Sequence, residues 1–450
     1  MRWRAAIGAA WLSVAVTACG GTSLGAPAPS ARSPWRPPVR LGPTDGSLSL
    51  SFPTVASDAQ GRAIAAWIEE VRGADRTRWN IRAVRFDPAG GWGPSQIVAQ
   101  VDDSPRNPRI VANDAGDAAL SWSARRVALF SPRTGWAAPL SMPGPPEDGL
   151  TPVSDLRLAM GEDGSAMAVW ARYEGNLSGP FRQRLQAAAL ARDGWGPSSV
   201  ISESRAPQYT PLSVGMDKAG NATAIWLESG PLGDVEEPAA VWTNRFENGR
   251  GWGRRQRLGV YPHTSGGGTV VTDFDSDGRA IAAWRDDAGL ETSIYGPDGW
   301  TAPVPLSVGR EYLPRVRLLP GGGAVAAWAS FVYGAEAVVF EEGRGWSAPL
   351  ALSDSHETDT AQYGPECGLG VDAEGRALIV WTDGGVRAAR FSRSQGWERP
   401  WGLQTTGRVG AYPQLAVSPG GEAFVVWQEN GLAPDYRNEI WAAVYAPEAR

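Results

Sequence analysis

Residues Trp35–Leu41 read WRPPVRL, and residues Trp300–Leu306 read WTAPVPL. A tryptophan of this kind, usually preceded by glycine and soon followed by proline, also stands at 92, 136, 195, 252, 346 and 397. A second element alternates with it: PRIVANDAGDAALSW (Pro108–Trp122) matches PTVASDAQGRAIAAW (Pro53–Trp67), PLSVGMDKAGNATAIW (Pro211–Trp226) and PQLAVSPGGEAFVVW (Pro413–Trp427). Its closing tryptophan falls at 67, 122, 170, 226, 284, 328, 381 and 427, about 51 residues apart on average. Eight copies of this second element follow Trp35, but only seven copies of the first. The eighth copy of the first is Trp35–Leu41 itself, at the other end of the chain. A linear array has no reason to split one repeat across both ends. A closed ring has, because the split repeat pairs the termini and removes an exposed sheet edge.

Each repeat reads as four strands. Strand A follows the proline, as at Arg109–Ala112, and an Asp- and Gly-rich turn leads to strand B, which ends at the first tryptophan. Strand C alternates apolar and polar residues (Ile81–Phe86), and the second tryptophan opens the short outer strand D. Strand B is apolar on both faces, as in Ala63-Ile64-Ala65-Ala66-Trp67, which fits a sheet covered on both sides by its neighbours. The expected fold is therefore all-β: an eight-bladed β-propeller of four antiparallel strands per blade over residues 35–450, with the N-terminal strand closing the last blade. A seven-bladed ring with one aberrant repeat is the alternative. The distance from the first to the second tryptophan of a blade varies between 14 and 26 residues, so variation concentrates in the B–C connection. Long B–C loops are expected at Glu69–Asn80, Tyr173–Gln183, Glu228–Pro238 and Gln428–Asn438.

Composition agrees with an exported globular chain and excludes other classes. The 450 residues carry a net charge of −6, against a nucleic-acid partner, which needs clustered positive charge. Gly and Pro are abundant (56 and 36) without a Gly-X-Y period. Two cysteines allow no disulfide framework; Cys367, in an apolar small-residue strand, reads as a buried thiol. The sequence holds no phosphate-binding loop and no dinucleotide fingerprint. His263 and His356, in connections of different blades, offer neither a zinc site nor a catalytic triad.

The N-terminus has Arg2 and Arg4, an apolar stretch Ala5–Ala15 too short to span a bilayer, and then Val16-Thr17-Ala18-Cys19-Gly20. This resembles the bacterial lipoprotein signal, although the family usually has Leu where Val16 stands. The resemblance implies a signal peptide over residues 1–18, lipidation of Cys19, a tether over residues 19–34, and attachment at the cell envelope. Removal of residues 1–18, with their two arginines, takes the net charge from −6 to −8. The repeat itself resembles sialidase-like propellers of the Asp-box kind through Arg192-Asp193-Gly194-Trp195 and Pro297-Asp298-Gly299-Trp300. The sequence has no copy of that family's Phe-Arg-Ile-Pro strand, so its catalytic roles are assigned to no residue here. A further likeness, in lipid anchor and blade number alone, is to the lipoprotein propeller of outer-membrane barrel assembly.

D–A and B–C connections open on one face of the ring, and an aromatic precedes the strand A proline there: Phe52, Tyr209, Tyr261, Tyr312, Tyr363 and Tyr412. These rings could rim the channel and stack on a glycan or grip a peptide. Directly after the proline stand Arg109, Arg315, Glu366 and Gln414, and two arginines there could hold a carboxylate. Asp273-Phe274-Asp275-Ser276-Asp277-Gly278 matches the start of a calcium loop, so Asp273, Asp275 and Asp277 are the candidate metal ligands and Ca2+ the candidate ion. Position twelve of that loop is Trp284 in place of the bidentate Glu. The functional expectation is a monomeric, lipid-anchored binding or scaffolding module for a protein or carbohydrate; a glycan hydrolase or lyase is the alternative.

Overall fold

The computed structural model describes residues 34–447, apart from 43–48, 74–75, 106–107, 124–125, 144–152, 175–181, 205–211, 229–238, 262–269, 286–288, 309–311, 331–333, 354–366, 384, 405–409 and 432–436. Cys19, Tyr209, His263, His356, Tyr363 and Glu366 lie outside the described residues. Described elements are all strands, and they form eight antiparallel sheets in a ring, the eight-bladed propeller. In blade 1 the order is Ser49–Ser57, Ala63–Arg72, Thr77–Asp87, with the outer strand in two pieces, Gly91–Trp92 and Gln96–Val101. Both pieces pair with Thr77–Asp87. Pro94 stands in the break. Proline has no N–H to give the ladder, so it interrupts an edge strand where a central one would not tolerate it.

Blade 8 is made from both ends of the chain. Val39–Leu41 pairs with Glu439–Tyr445 in the register Val39↔Ala442 to Leu41↔Ile440, and Trp35 bridges to Tyr445. The Arg36 amide donates to the Val444 carbonyl at 2.8 Å. The orphan strand of the sequence thus fills the outer place of the last blade.

The eight strand B tryptophans are at most 2% exposed. Each packs into the preceding blade: Trp67 against Phe424, Val426 and Ile440 of blade 8, and Trp122 against Ile64 and Ile68 of blade 1. No blade buries its own face alone, so cohesion belongs to the ring. The strand D tryptophans obey a second rule. Seven of the eight meet an aromatic of strand C at 5.2–5.7 Å between ring centroids, such as Phe130–Trp136 and Phe246–Trp252. In blade 3 the partner is Leu190. Cys367 is buried, with its Sγ 3.9 Å from the Ala327 carbonyl.

One expectation needs correction. Glu69–Asn80 is not a loop: strands B and C of blade 1 continue as a regular hairpin, pairing Glu69↔Asn80 through Arg72↔Thr77. Blade 3 likewise pairs Tyr173↔Gln183 and Glu174↔Arg182. The acidic run after Trp67 hides the strand because Glu69 faces inward, fully buried. Its Oε1 lies 2.7 Å from Arg82 Nε, and Oε2 accepts from Asn80 Nδ2 at 2.6 Å.

Candidate functional site

The innermost strands surround a central cavity of about 740 Å³, within the range of ligand sites. Blade geometry fixes which residues reach it. In every blade one strand A residue pairs with the residue just before the strand B tryptophan: Thr54↔Ala66, Arg109↔Ser121, Arg157↔Val169 and Ser213↔Ile225 in blades 1 to 4. Blades 5 to 8 place Val271, Arg315, Gly368 and Gln414 there. All eight stand thirteen residues before their tryptophan, because the A–B hairpin has one length throughout.

Arg109, Arg315 and Gln414 line the cavity where the sequence put them, and Arg157 and Arg317 join them. Arg157 escapes a reading that counts forward from proline, because Pro152 stands five residues before it, whereas Pro108 and Pro314 directly precede Arg109 and Arg315. Counting back from Trp170 finds it. The same count places Gly368 at the matching position of blade 7. Arg157 Nη1 donates to the Leu156 carbonyl at 3.1 Å, Arg315 Nη1 to Pro314 at 3.3 Å and Arg317 Nη1 to Val316 at 2.9 Å. Among the described residues Arg315 has no carboxylate partner. Four arginines line the cavity and no described Asp or Glu does. Among the described residues the charged side chains of the lining are thus all arginines, and a concave wall with charge of one sign concentrates its potential.

Asp273 is set behind this lining. Its Oδ1 lies 3.7 Å from Arg317 Nη1 and its Oδ2 accepts the Leu318 amide at 2.8 Å. Burial in the wall pushes its carboxyl above the usual range, with Arg317 pulling the other way. Asp275 instead caps the A–B turn, accepting the amides of Asp277 (3.0 Å) and Arg279 (2.8 Å) through Oδ1. Asp277 is on the surface, paired with Lys218 of blade 4, which lowers its pKa. The three carboxylates thus point to three different tasks. Among the described residues no group of three or more His, Cys, Asp or Glu is gathered as a metal cluster. The Asp275 arrangement recurs at Asp58, Asp217 and Asp372, each accepting two amides of its own turn.

Of the mouth aromatics, Tyr312 begins strand A of blade 6 (Tyr312–Leu318), and Tyr261 ends a strand D segment (Gln256–Tyr261). Phe52 and Tyr412 are brought together across the seam between blades 1 and 8, with ring centroids 5.7 Å apart. Both line the cavity.

No family model matches the chain, and no curated protein matches it. Among solved structures, the chain is similar to the intramolecular trans-sialidase from Ruminococcus gnavus: 11% identity, TM-score 0.39, 90% of this chain and 96% of that one. The leech intramolecular trans-sialidase gives 9%, 0.38, 90% and 92%. A puromycin hydrolase mutant gives 15%, 0.47, 86% and 59%. At these values no activity passes from any of them to this chain.

Proposed function

We propose that this propeller is a binding module, held at the cell envelope through Cys19, which captures an anionic protein or carbohydrate partner at the central channel. One observation carries the reading: Arg109, Arg157, Arg315 and Arg317 line a single cavity in which no described carboxylate takes part. Guanidinium groups on a rigid scaffold are suited to carboxylate or phosphate, whose oxygens accept their paired donors. Most glycan hydrolases act through two carboxylates about 5–10 Å apart, and the described lining shows neither. The partner binds one copy of the chain.

Citrate provides the test. A ligand held only by the native state raises the melting temperature by mass action. Citrate should raise that of the full chain, and Arg109→Ala or Arg315→Ala should remove the rise. Lys218→Ala, on the opposite face, should keep it. A chain indifferent to citrate, or a rise that survives both arginine variants, defeats the reading.

A further inference from the structure

The channel arginines stand on two walls. Arg109 and Arg157 belong to neighbouring blades 2 and 3, whereas Arg315 and Arg317 belong to blade 6, three to four blades further round the ring. One compact anion satisfies one wall. A ligand that satisfies both carries several negative groups, spaced along its length.

A third wall is aromatic. Phe52 and Tyr412 occupy the same place in blades 1 and 8, each followed by proline, at the same bulge in strand A. Both backbones are left-handed, with φ of 53° and 54°. That region is unfavourable for a residue with a Cβ, and such conformations persist where surrounding structure holds a side chain in a required direction. Here the direction is the channel mouth, where the Phe52 ring remains 39% exposed. Thr54 and Gln414 follow two residues on and line the same cavity; the Thr54 hydroxyl accepts the Ile110 amide at 3.4 Å, which leaves its own proton to donate.

Spaced charges, exposed ring faces and neutral hydrogen-bonding groups are together the complement of an acidic sugar chain. We infer that the channel takes a short oligouronate. The ring of one unit lies against Phe52 and Tyr412, its hydroxyls meet Thr54 and Gln414, and the carboxylates of successive units reach the blade 2–3 wall and the blade 6 wall. An acidic peptide would answer the arginines but leave the aromatic pair without a sugar face to cover. This inference rests on the anion-binding reading above and narrows it.

Calorimetric titration of the full chain with trigalacturonate, galacturonate, maltotriose and a triglutamate peptide tests it, with melting curves to confirm that each variant is folded. Trigalacturonate should bind at least tenfold tighter than galacturonate, and maltotriose should give no heat. Arg109→Ala and Arg315→Ala should each weaken trigalacturonate at least tenfold. Phe52→Ala should weaken it while leaving triglutamate unchanged, and Tyr412→Leu gives the same reading if Phe52→Ala fails to fold. Equal affinity for monomer and trimer overturns the two-wall arrangement. Triglutamate or maltotriose binding as tightly as trigalacturonate overturns the sugar class. Citrate binding without trigalacturonate binding sinks this inference alone, whereas binding of neither removes the anion-binding reading as well.

Discussion

Trp35 meets Tyr445 edge-on, ring centroids 5.5 Å apart and planes at 67°, although nearly the whole ring separates them in sequence. This is the same pairing that joins strands C and D in six other blades, and here it joins the two ends of the chain. Trp35 also belongs to a buried cluster with Val380, Val425 and Trp427, so it ties blade 8 to blade 7. Trp35→Ala should cost about 3–5 kcal/mol, the usual range for truncating a buried tryptophan. Deleting residues 20–42 should lower the melting temperature of the whole ring. A truncated chain that melts like the full one would mean that the outer strand of blade 8 is dispensable.

Glu69 is the buried charge on which blade 1 depends. Glu69→Ala leaves Arg82 and Asn80 without their partner inside the blade 8 seam, and the expected loss is about 3–5 kcal/mol. Replacing Glu69 and Arg82 together with Leu and Met should cost less than the single change, because no lone charge remains. Chemical denaturation of the three proteins decides this, and a double variant weaker than Glu69→Ala contradicts it.

Asp273 gives the channel a pH dependence of known sign. A carboxyl whose pKa is raised in the folded state binds more protons there than in the unfolded chain, so stability from this group grows as pH falls through its raised range. Asp273→Asn keeps an acceptor for the Leu318 amide and removes the cost of a buried charge. The variant should therefore be more stable than the parent at neutral pH, the gap closing on acidification. It should also bind citrate more tightly, since Arg317 loses its counter-charge. A variant less stable at pH 7 would show that the attraction to Arg317 outweighs burial.

Calcium removal should leave the melting curve unchanged, because Asp273, Asp275 and Asp277 are engaged with an arginine, a turn and a lysine respectively. Asp275→Ala should lower stability by about 1–2 kcal/mol through the loss of two turn bonds, with or without chelator. A chelator-dependent shift in the parent that Asp275→Asn abolishes would restore an ion to this turn.

Cys19→Ser should move the protein from the membrane to the soluble fraction without altering its melting curve. Unchanged partition in the absence of detergent would rule out lipid anchoring at Cys19.

The tryptophan spacing carries the blade count and the closure, since each tryptophan answers to a fixed place in the wedge between blades. The channel wall was less legible. It follows the tryptophan, thirteen residues back, whereas the proline keeps no fixed distance: it directly precedes Arg109, Arg315 and Gln414 but stands five residues before Arg157 and three before Gly368, so counting from proline misses Arg157. The pair of Arg317 and Asp273 was hidden for another reason. Their pairing crosses from blade 5 to blade 6, and nothing local in either segment announces it.

The hydrogen bond from the Ala446 amide to the Pro34 carbonyl, 3.2 Å, brings the two ends of the ring into contact at the edge of blade 8. A short peptide link there would make the chain circular, and a new opening could be cut in any other blade-to-blade connection. Such a permutant would close by a different split sheet, or with no split at all. Comparing refolding rates among permutants would separate what the ring owes to its tryptophans from what it owes to the blade in which the chain is split.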